Sequence, residues 1–232
     1  MNKFLVALCA IAFSFSSACA DRMASKNVQA FEEGESEKPV KVQRGADTED
    51  RSFGYWLRYG TEQEKKGRHD NAKEAFKKAV MLDPGSAEAH YRLGRAYRNL
   101  GNVKYAIRAF EEAVRIAPGM EEAYYSLATL YQELGSEKQA LGAYQNVVRI
   151  DPHNAAAYYN LGQIYLSMHL KKEAKEAFLN AVKNKPDFAE AHYGLGTVYV
   201  MFNNIAAAIE EYKILVDLDR GLAYRLFGKI YE

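Results

Sequence analysis

Four of the five prolines in this 232-residue chain are separated by gaps of 34 residues. They stand at Pro84, Pro118, Pro152 and Pro186. A fixed period of this length indicates one small structural unit copied along the chain. Such units stack and bury a continuous core, so the spacing favours an extended binding scaffold over a fold built around one catalytic pocket.

Each 34-residue unit has the pattern of two helices joined by a short turn. With the repeat proline placed at position 32, large apolar residues recur at positions 4, 7 and 11 and again at 24, 28 and 30, which are helical spacings. A polar stretch with a breaker, such as Gly101-Asn102, separates the two runs. Proline cannot donate the backbone hydrogen bond of a helix interior, so we expect it to follow one hairpin and start the next.

Small and aromatic residues recur at fixed positions of the unit. Position 8 is Gly or Ala, position 20 is always Ala, and position 24 is Phe or Tyr. We expect the small residues to lie where two helix backbones approach closely, because a larger side chain would overpack the contact at a cost of about 1–3 kcal/mol. The position-8 residues are Gly60, Gly94, Ala128, Gly162 and Gly196, and the position-24 residues are Phe76, Phe110, Tyr144, Phe178 and Tyr212.

This pattern closely resembles the tetratricopeptide repeat family. The resemblance covers residues 53–222 and implies an all-α fold, a right-handed α-solenoid of five helix-turn-helix repeats. The repeats would be 53–86, 87–120, 121–154, 155–188 and 189–222, with a capping helix at 222–232. Arg220 stands where a fifth repeat proline is expected, and the next residues fit positions 4, 7, 8 and 11 of one more first helix: Tyr224, Phe227, Gly228 and Tyr231.

The composition gives no argument for catalysis or for a nucleic-acid partner. Lys and Arg total 31 and Asp and Glu total 30, so the net charge is close to zero and does not favour the binding of nucleic acid. No glycine-rich phosphate loop, metal-binding pair or nucleophile motif occurs. His90 and His192 both occupy position 4, but they are three units apart and cannot share a metal. We therefore expect a non-catalytic protein with no cofactor.

Residues 1–20 have the pattern of a bacterial export signal. Lys3 is followed by an apolar run and then by small residues, and the run is shorter than the roughly 20 apolar residues of a transmembrane helix. Ser16-Ser17-Ala18-Cys19 resembles a lipoprotein box in which Cys19 would be acylated, whereas Ala18-Cys19-Ala20 would suit signal peptidase I cleavage after Ala20. We favour lipidation, because the only two cysteines, Cys9 and Cys19, lie in this segment.

Residues 21–52 are predicted to form a flexible tether. Charges of both signs are dense there and large apolar residues are few, so the segment cannot bury enough surface to offset chain entropy. A flexible chain of this length spans on the order of 30 Å. Resemblance to lipoproteins implies outer-membrane sorting, since Ala20 follows the cysteine. The expected location is therefore the periplasm, with the solenoid anchored to the outer membrane through Cys19.

The family resemblance implies that the first helix of each repeat lines a concave groove for a partner. Position 5 of that helix carries a ladder of tyrosines: Tyr91, Tyr125, Tyr159 and Tyr193. Tyrosine offers a large contact area and a hydroxyl group for gripping a peptide. The same side chains could instead support packing, and both interpretations stay open. Further along, the groove becomes neutral and apolar, beginning with Asn160 and Gln163.

A cluster of arginines stands on the first helix of the second repeat. Arg92, Arg95 and Arg98 share one side of it, beside Arg58 and Lys65 of the first repeat. Guanidinium groups bind carboxylates through two parallel hydrogen bonds, which suggests a site for an acidic stretch or a free C-terminus. The alternative is a surface partly paired with Glu62, Glu64 and Glu88.

These patterns predict a non-catalytic protein–protein interaction scaffold of the bacterial cell envelope. Its partner would be an unidentified protein or peptide. A second copy of the chain is also compatible with such a groove. Resemblance to lipoproteins with this repeat suggests pilus, secretion or cell-wall assembly. Two other classes stay open: a cytoplasmic adaptor or co-chaperone, and a non-catalytic subunit of an enzyme complex.

Overall fold

The computed structural model describes residues 52–232, in which all regular elements are helices, eleven in number. They are α1 (Phe53–Lys65), α2 (His69–Leu82), α3 (Ala87–Asn99), α4 (Val103–Ile116), α5 (Glu121–Glu133), α6 (Glu137–Ile150), α7 (Ala155–Ser167), α8 (Lys171–Asn184), α9 (Ala189–Met201), α10 (Ile205–Leu218) and α11 (Arg220–Tyr231). The predicted export signal, Cys19 and all of the predicted tether except Ser52 lie outside the described residues.

Helices α1 to α10 form five consecutive hairpins, and α11 packs on the last of them. The all-α solenoid of helix-turn-helix repeats that the 34-residue period predicts is therefore confirmed. None of the helices within residues 52–232 has both the length and the apolar character needed to cross a membrane.

The turn inside every hairpin contains one residue in the left-handed region of backbone conformation. In the first three repeats that residue is Gly67, Gly101 or Gly135, with φ between 69° and 75°. Glycine adopts this conformation freely because it has no Cβ. In the fourth and fifth repeats the same position is taken by His169 (φ 61°) and Asn203 (φ 57°), so the turn keeps its shape without glycine.

Each repeat proline lies in the linker between two hairpins. Pro84 is the second residue after Leu82, where α2 ends, and α3 begins only at Ala87. The expectation that the proline starts the next helix was therefore wrong. The helix start uses a side-chain acceptor instead, since Ser86 Oγ accepts a hydrogen bond from the Ala89 backbone N–H at 3.2 Å.

The glycine at position 8 makes room for an aromatic ring. A Cβ placed on Gly94 would lie 2.7 Å from ring carbons of Phe110, the position-24 residue of the same repeat. Gly60 and Gly162 meet Phe76 and Phe178 in the same way. The nearest neighbours are ring atoms, so position 8 is small because the position-24 ring lies directly against it. The three phenylalanines are fully buried and form the centre of their repeats.

The fifth repeat closes its core with a residue from α11. A Cβ on Gly196 would lie 2.5 Å from Leu226 Cδ2, whereas the first, second and fourth repeats place their own position-24 ring there. Leu226 and Leu215 of α10 are fully buried against each other, together with Ala223. One side of α11 therefore covers the apolar end of the fifth repeat.

Candidate partner-binding groove

Polar side chains connect the first helices of successive repeats along one face of the array. Arg95 of α3 reaches Glu64 of α1 at 3.1 Å, and Arg98 of α3 reaches Glu133 of α5 at 2.9 Å. On the same face Asn160 of α7 donates to the Tyr125 hydroxyl of α5 at 3.4 Å. Of the residues that the sequence singled out, Arg95, Arg98, Tyr125 and Asn160 are thus linked between the first helices of neighbouring repeats.

The tyrosine ladder contributes to packing within each repeat. Three of the four rings lie against the position-24 aromatic of their own repeat, with centroids 5.7 Å apart for Tyr91 and Phe110, 5.6 Å for Tyr125 and Tyr144, and 6.0 Å for Tyr159 and Phe178. The fourth, Tyr193, lies 4.7 Å from the Arg225 guanidinium of α11. All four side chains remain partly exposed, so the rings that pack on the core also keep some surface for contact with a partner.

Asn160 and Gln163 hold tyrosine hydroxyls in place. Asn160 Nδ2 donates to Tyr125, and Gln163 Nε2 donates to the Tyr159 hydroxyl at 2.8 Å. Each tyrosine hydroxyl accepts one of these bonds and can still donate its own proton. This part of the groove therefore presents oriented, uncharged donors.

The arginine cluster is engaged in ion pairs within the protein. Arg92 Nε lies 2.5 Å from Glu88, and Arg95 and Arg98 reach Glu64 and Glu133 as given above. Glu64 has a side chain that is only 10% exposed, which places it beneath Arg92 and Arg95. The three arginines therefore have carboxylate partners already, and two of those partners belong to neighbouring repeats.

A cavity of about 330 Å³ opens between α1 and α3 at the start of the groove. Within it Glu62 pairs with Lys66, and Glu88 pairs with Arg92. Arg58 and Lys65 are exposed and form no ion pair with any described residue. The lining residues are Leu57, Arg58, Thr61, Glu62, Lys65, Glu88 and Arg92.

Arg58 and Lys65 are seven residues apart on α1, which is about two helical turns and about 10 Å along the axis. They therefore share one face, with Thr61 between them and Leu57 beside Arg58 in the cavity wall. From the sequence, these two cations were predicted only to lie beside the arginine cluster of α3. Their seven-residue spacing was the available signal, but the folded chain is needed to see that the nearby glutamates Glu62 and Glu88 pair with Lys66 and Arg92 instead.

His192 has a structural role in the fifth repeat. Its side chain is buried, with Nδ1 2.6 Å from Glu211 Oε2 and Nε2 2.8 Å from the Pro186 carbonyl. Both partners can accept, so both ring nitrogens donate when the imidazole is protonated, and the Glu211 hydrogen bond raises the pKa of His192 against the effect of burial. His90 makes the equivalent contact with the Pro84 carbonyl at 3.1 Å. Within residues 52–232 no three His, Cys, Asp or Glu side chains are gathered as a metal site would require.

Sequence comparisons agree with this architecture. A tetratricopeptide repeat model matches residues 57–121 and 170–223, and a second TPR repeat model matches residues 133–168. The chain belongs to the tetratricopeptide repeat family. Repeats of this family are in general non-catalytic modules for protein–protein interaction, so the protein is an interaction scaffold. Comparison with curated proteins gave no match.

Solved tetratricopeptide structures have the same fold. The crystal structure of MamA is 28% identical, covers 71% of this chain and 96% of that chain, and superposes with a TM-score of 0.65. YrrB, described as a TPR protein with an unusual peptide-binding site, is 25% identical, with 73% and 89% coverage and a TM-score of 0.65. PilF of Pseudomonas aeruginosa, at 18% identity, 71% and 75% coverage and a TM-score of 0.60, is similar in fold alone.

Proposed function

We propose that this scaffold binds a carboxylate of a partner protein, on an acidic stretch or at a free C-terminus, in the cavity between α1 and α3. The observation that carries the proposal is that two cations in that cavity, Arg58 and Lys65, form no ion pair within residues 52–232. The proposed role is that of a non-catalytic scaffold. YrrB, 25% identical, is described as having a peptide-binding site, which supports a peptide ligand.

The cavity has the chemistry that such a ligand needs. The Arg58 guanidinium can hold one carboxylate through two hydrogen bonds, and Lys65 can attract a second as a point charge. Leu57 gives the wall an apolar stretch, while the Thr61 hydroxyl donates to the Leu57 carbonyl at 2.8 Å. A ligand with acidic groups about 10 Å apart would contact both cations at once.

Arg92, Arg95 and Arg98 have a secondary place in this proposal. A ligand carboxylate near Arg92 would compete with Glu88, which is already 2.5 Å away. The arginines position the α3 wall of the groove, and the ladder of tyrosines with Asn160 and Gln163 extends the contact surface for the rest of the peptide. This division of roles makes Arg58 and Lys65 the decisive residues.

Two model peptides test the proposal by fluorescence anisotropy. One is an acidic decapeptide with a free C-terminus, and the other has Gln for each Glu and an amidated end. We expect the full chain to bind the acidic peptide more tightly. The variant R58E/K65E should lose at least about tenfold in affinity, since hydrogen bonds between charged groups contribute about 1.5–3 kcal/mol each.

A charge-matched control separates the cavity from net charge. Arg149 and Lys138 are exposed on α6, outside the cavity, and R149E/K138E changes the net charge equally. This control should bind the acidic peptide nearly as well as the unaltered chain. Equal affinities for the two peptides, or equal losses in the two double variants, would remove the carboxylate site. An acidic peptide with an amidated end then distinguishes side-chain from C-terminal carboxylates.

The proposal also places the scaffold in the bacterial cell envelope, acylated at Cys19 and held at the outer membrane. Its support is the export pattern of residues 1–20 and the restriction of cysteine to that segment. Labelled palmitate should be incorporated into the full chain and into C9A, but not into C19A. A product that still begins at Met1 in the soluble cytosol would overturn this assignment and favour a cytoplasmic adaptor.

Within the envelope we assign the scaffold to the assembly of a pilus, secretion or cell-wall complex. The support is the combination of a lipoprotein-type start with a peptide-binding groove. Chemical crosslinking in membranes followed by mass spectrometry should recover an envelope-assembly protein attached near α1 or α3. Recovery of cytosolic enzymes alone would contradict this assignment.

A further inference from the structure

Helix α11 carries a stripe of large side chains that the rest of the described chain leaves exposed. A different side of the helix, with Ala223 and Leu226, is buried against the fifth repeat. The exposed members follow the spacing i, i+4, i+7, i+11, which places them on one face of a helix. They are Arg220, Tyr224, Phe227 and Tyr231, and we call them the outer stripe of α11.

The three rings of the outer stripe form one continuous aromatic surface. Tyr224 is 79% exposed, Tyr231 is 66% exposed and Phe227 is 42% exposed. The Phe227 ring lies 4.5 Å from that of Tyr231 and 5.7 Å from that of Tyr212 on α10, measured between centroids. Single exposed apolar residues are ordinary on a protein surface, but a contiguous exposed patch marks an interaction site.

Gly228 borders the outer stripe and keeps access to it open. Apart from the backbone of the helix itself, a Cβ on Gly228 would meet only Glu232 Oε1, at 4.0 Å. In the second repeat, by contrast, a Cβ on Gly94 would lie 2.7 Å from the Phe110 ring. The distance between two packed helices depends on the side chains at the contact, so a second helix could approach α11 closely here.

The outer stripe is complementary to itself when two copies of α11 run antiparallel. With the two helices in full overlap, Tyr224 of one copy lies level with Phe227 of the other, and Arg220 lies level with Tyr231. Rings then pack on rings, and a guanidinium lies on a ring. A two-fold dimer needs such a self-complementary surface, and each contact occurs twice in it. We propose that two copies of this protein bind each other through antiparallel outer stripes.

The charges at the ends of α11 favour the antiparallel direction. Arg220 is the first residue of the helix, and Glu232 directly follows its last residue. Both are exposed. In the antiparallel pair, Arg220 of each copy lies within one helical turn of Glu232 of the other, whereas a parallel pair would place Arg220 beside Arg220. The helix dipoles also oppose each other in the antiparallel pair.

The exposed area of the stripe suits a reversible dimer. A Phe or Tyr side chain buries about 150–250 Å² in all, so the exposed parts of these three rings offer about 300–450 Å² on each copy. Interfaces that bury less than about 1,200 Å² in total are typical of weak or transient complexes. The fraction of dimer should therefore rise with protein concentration.

Photocrosslinking of the full chain tests both the pairing and its direction. With p-benzoylphenylalanine in place of Tyr231, irradiation should give a dimer on a denaturing gel. Tryptic mapping should join the peptide that begins at Ile230 to the peptide that contains Arg220. These positions are about 16 Å apart along one helix, so a single chain cannot form this link. The photoreactive residue in place of Met81, which is 79% exposed on α2, should give no dimer.

Substitutions on α11, compared by sedimentation velocity of the full chain, separate the outer stripe from the rest of the helix. Y224A should lower the association constant of the dimer at least about tenfold, because each copy loses a ring contact. R220E and E232R should each lower it, and R220E/E232R should restore it. The control is K229E, since Lys229 is exposed on α11 but lies about 160° around the helix from Phe227. It should leave the association constant unchanged.

Four results would overturn the proposal. They are sedimentation as a monomer at every concentration, a crosslink between two copies of the peptide that begins at Ile230, equal losses for R220E and K229E, and no recovery in R220E/E232R. A crosslink between the two Ile230 peptides would show a parallel pair. Loss of recovery would show that Arg220 and Glu232 do not face each other.

Discussion

At the scale of single residues, the contact between Gly94 and Phe110 fixes the geometry of a repeat. A methyl group on Gly94 would lie 2.7 Å from a fully buried ring, so the ring or the helix must shift. We expect G94A to destabilise the fold by about 1–3 kcal/mol, measured as a lower urea midpoint.

Gly142 is the matched control for that substitution. It also lies inside a helix, but a Cβ there would have no neighbour within 4 Å. Alanine has the better helix propensity, so G142A should be neutral or stabilising by up to about 1 kcal/mol. Equal destabilisation by both substitutions would show that the ring contact is unimportant.

The His192–Glu211 pair predicts a pH dependence of stability. Because the hydrogen bond to Glu211 raises the pKa of His192, its contribution is complete below the unfolded value of 6.5 and is lost as the pH rises through the folded pKa. The thermal midpoint of the natural chain should therefore fall above pH 6.5 by more than that of E211Q. Parallel pH profiles for the two chains would contradict the assignment of this pair.

At the scale of elements, the hairpin turns differ in strain although they share one shape. His169 adopts a positive φ at the position where the first three repeats have glycine. A residue with a Cβ pays about 1–2 kcal/mol for this conformation, and Asn tolerates it better than most. H169G should therefore raise the urea midpoint, and N203G should raise it less. A lower midpoint for H169G would mean that the His169 side chain contributes to stability.

The helices themselves could be predicted from the sequence, because every unit repeats the same apolar spacing. The partners of the arginines could not. Glu64 and Glu133 lie 31 and 35 residues away from Arg95 and Arg98, in other repeats. A helical pattern reports which residues share a face of one helix, whereas these ion pairs depend on how neighbouring helices stack. For the same reason, the sequence could not show that Arg58 and Lys65 form no ion pair among the described residues.

At the scale of the whole molecule, the two ends of the solenoid differ in chemistry. The first two repeats present Arg58 and Lys65, which form no ion pair with any described residue, in a cavity, and α11 presents exposed aromatic side chains.

The cavity between α1 and α3 is proposed to receive a carboxylate ligand. Backbone amide chemical shifts, followed by NMR during titration with the acidic decapeptide, locate the bound ligand residue by residue. We expect the largest changes on residues 57–65 and 88–92. Changes confined to α9, α10 and α11, or no changes at saturating peptide, would contradict this proposal.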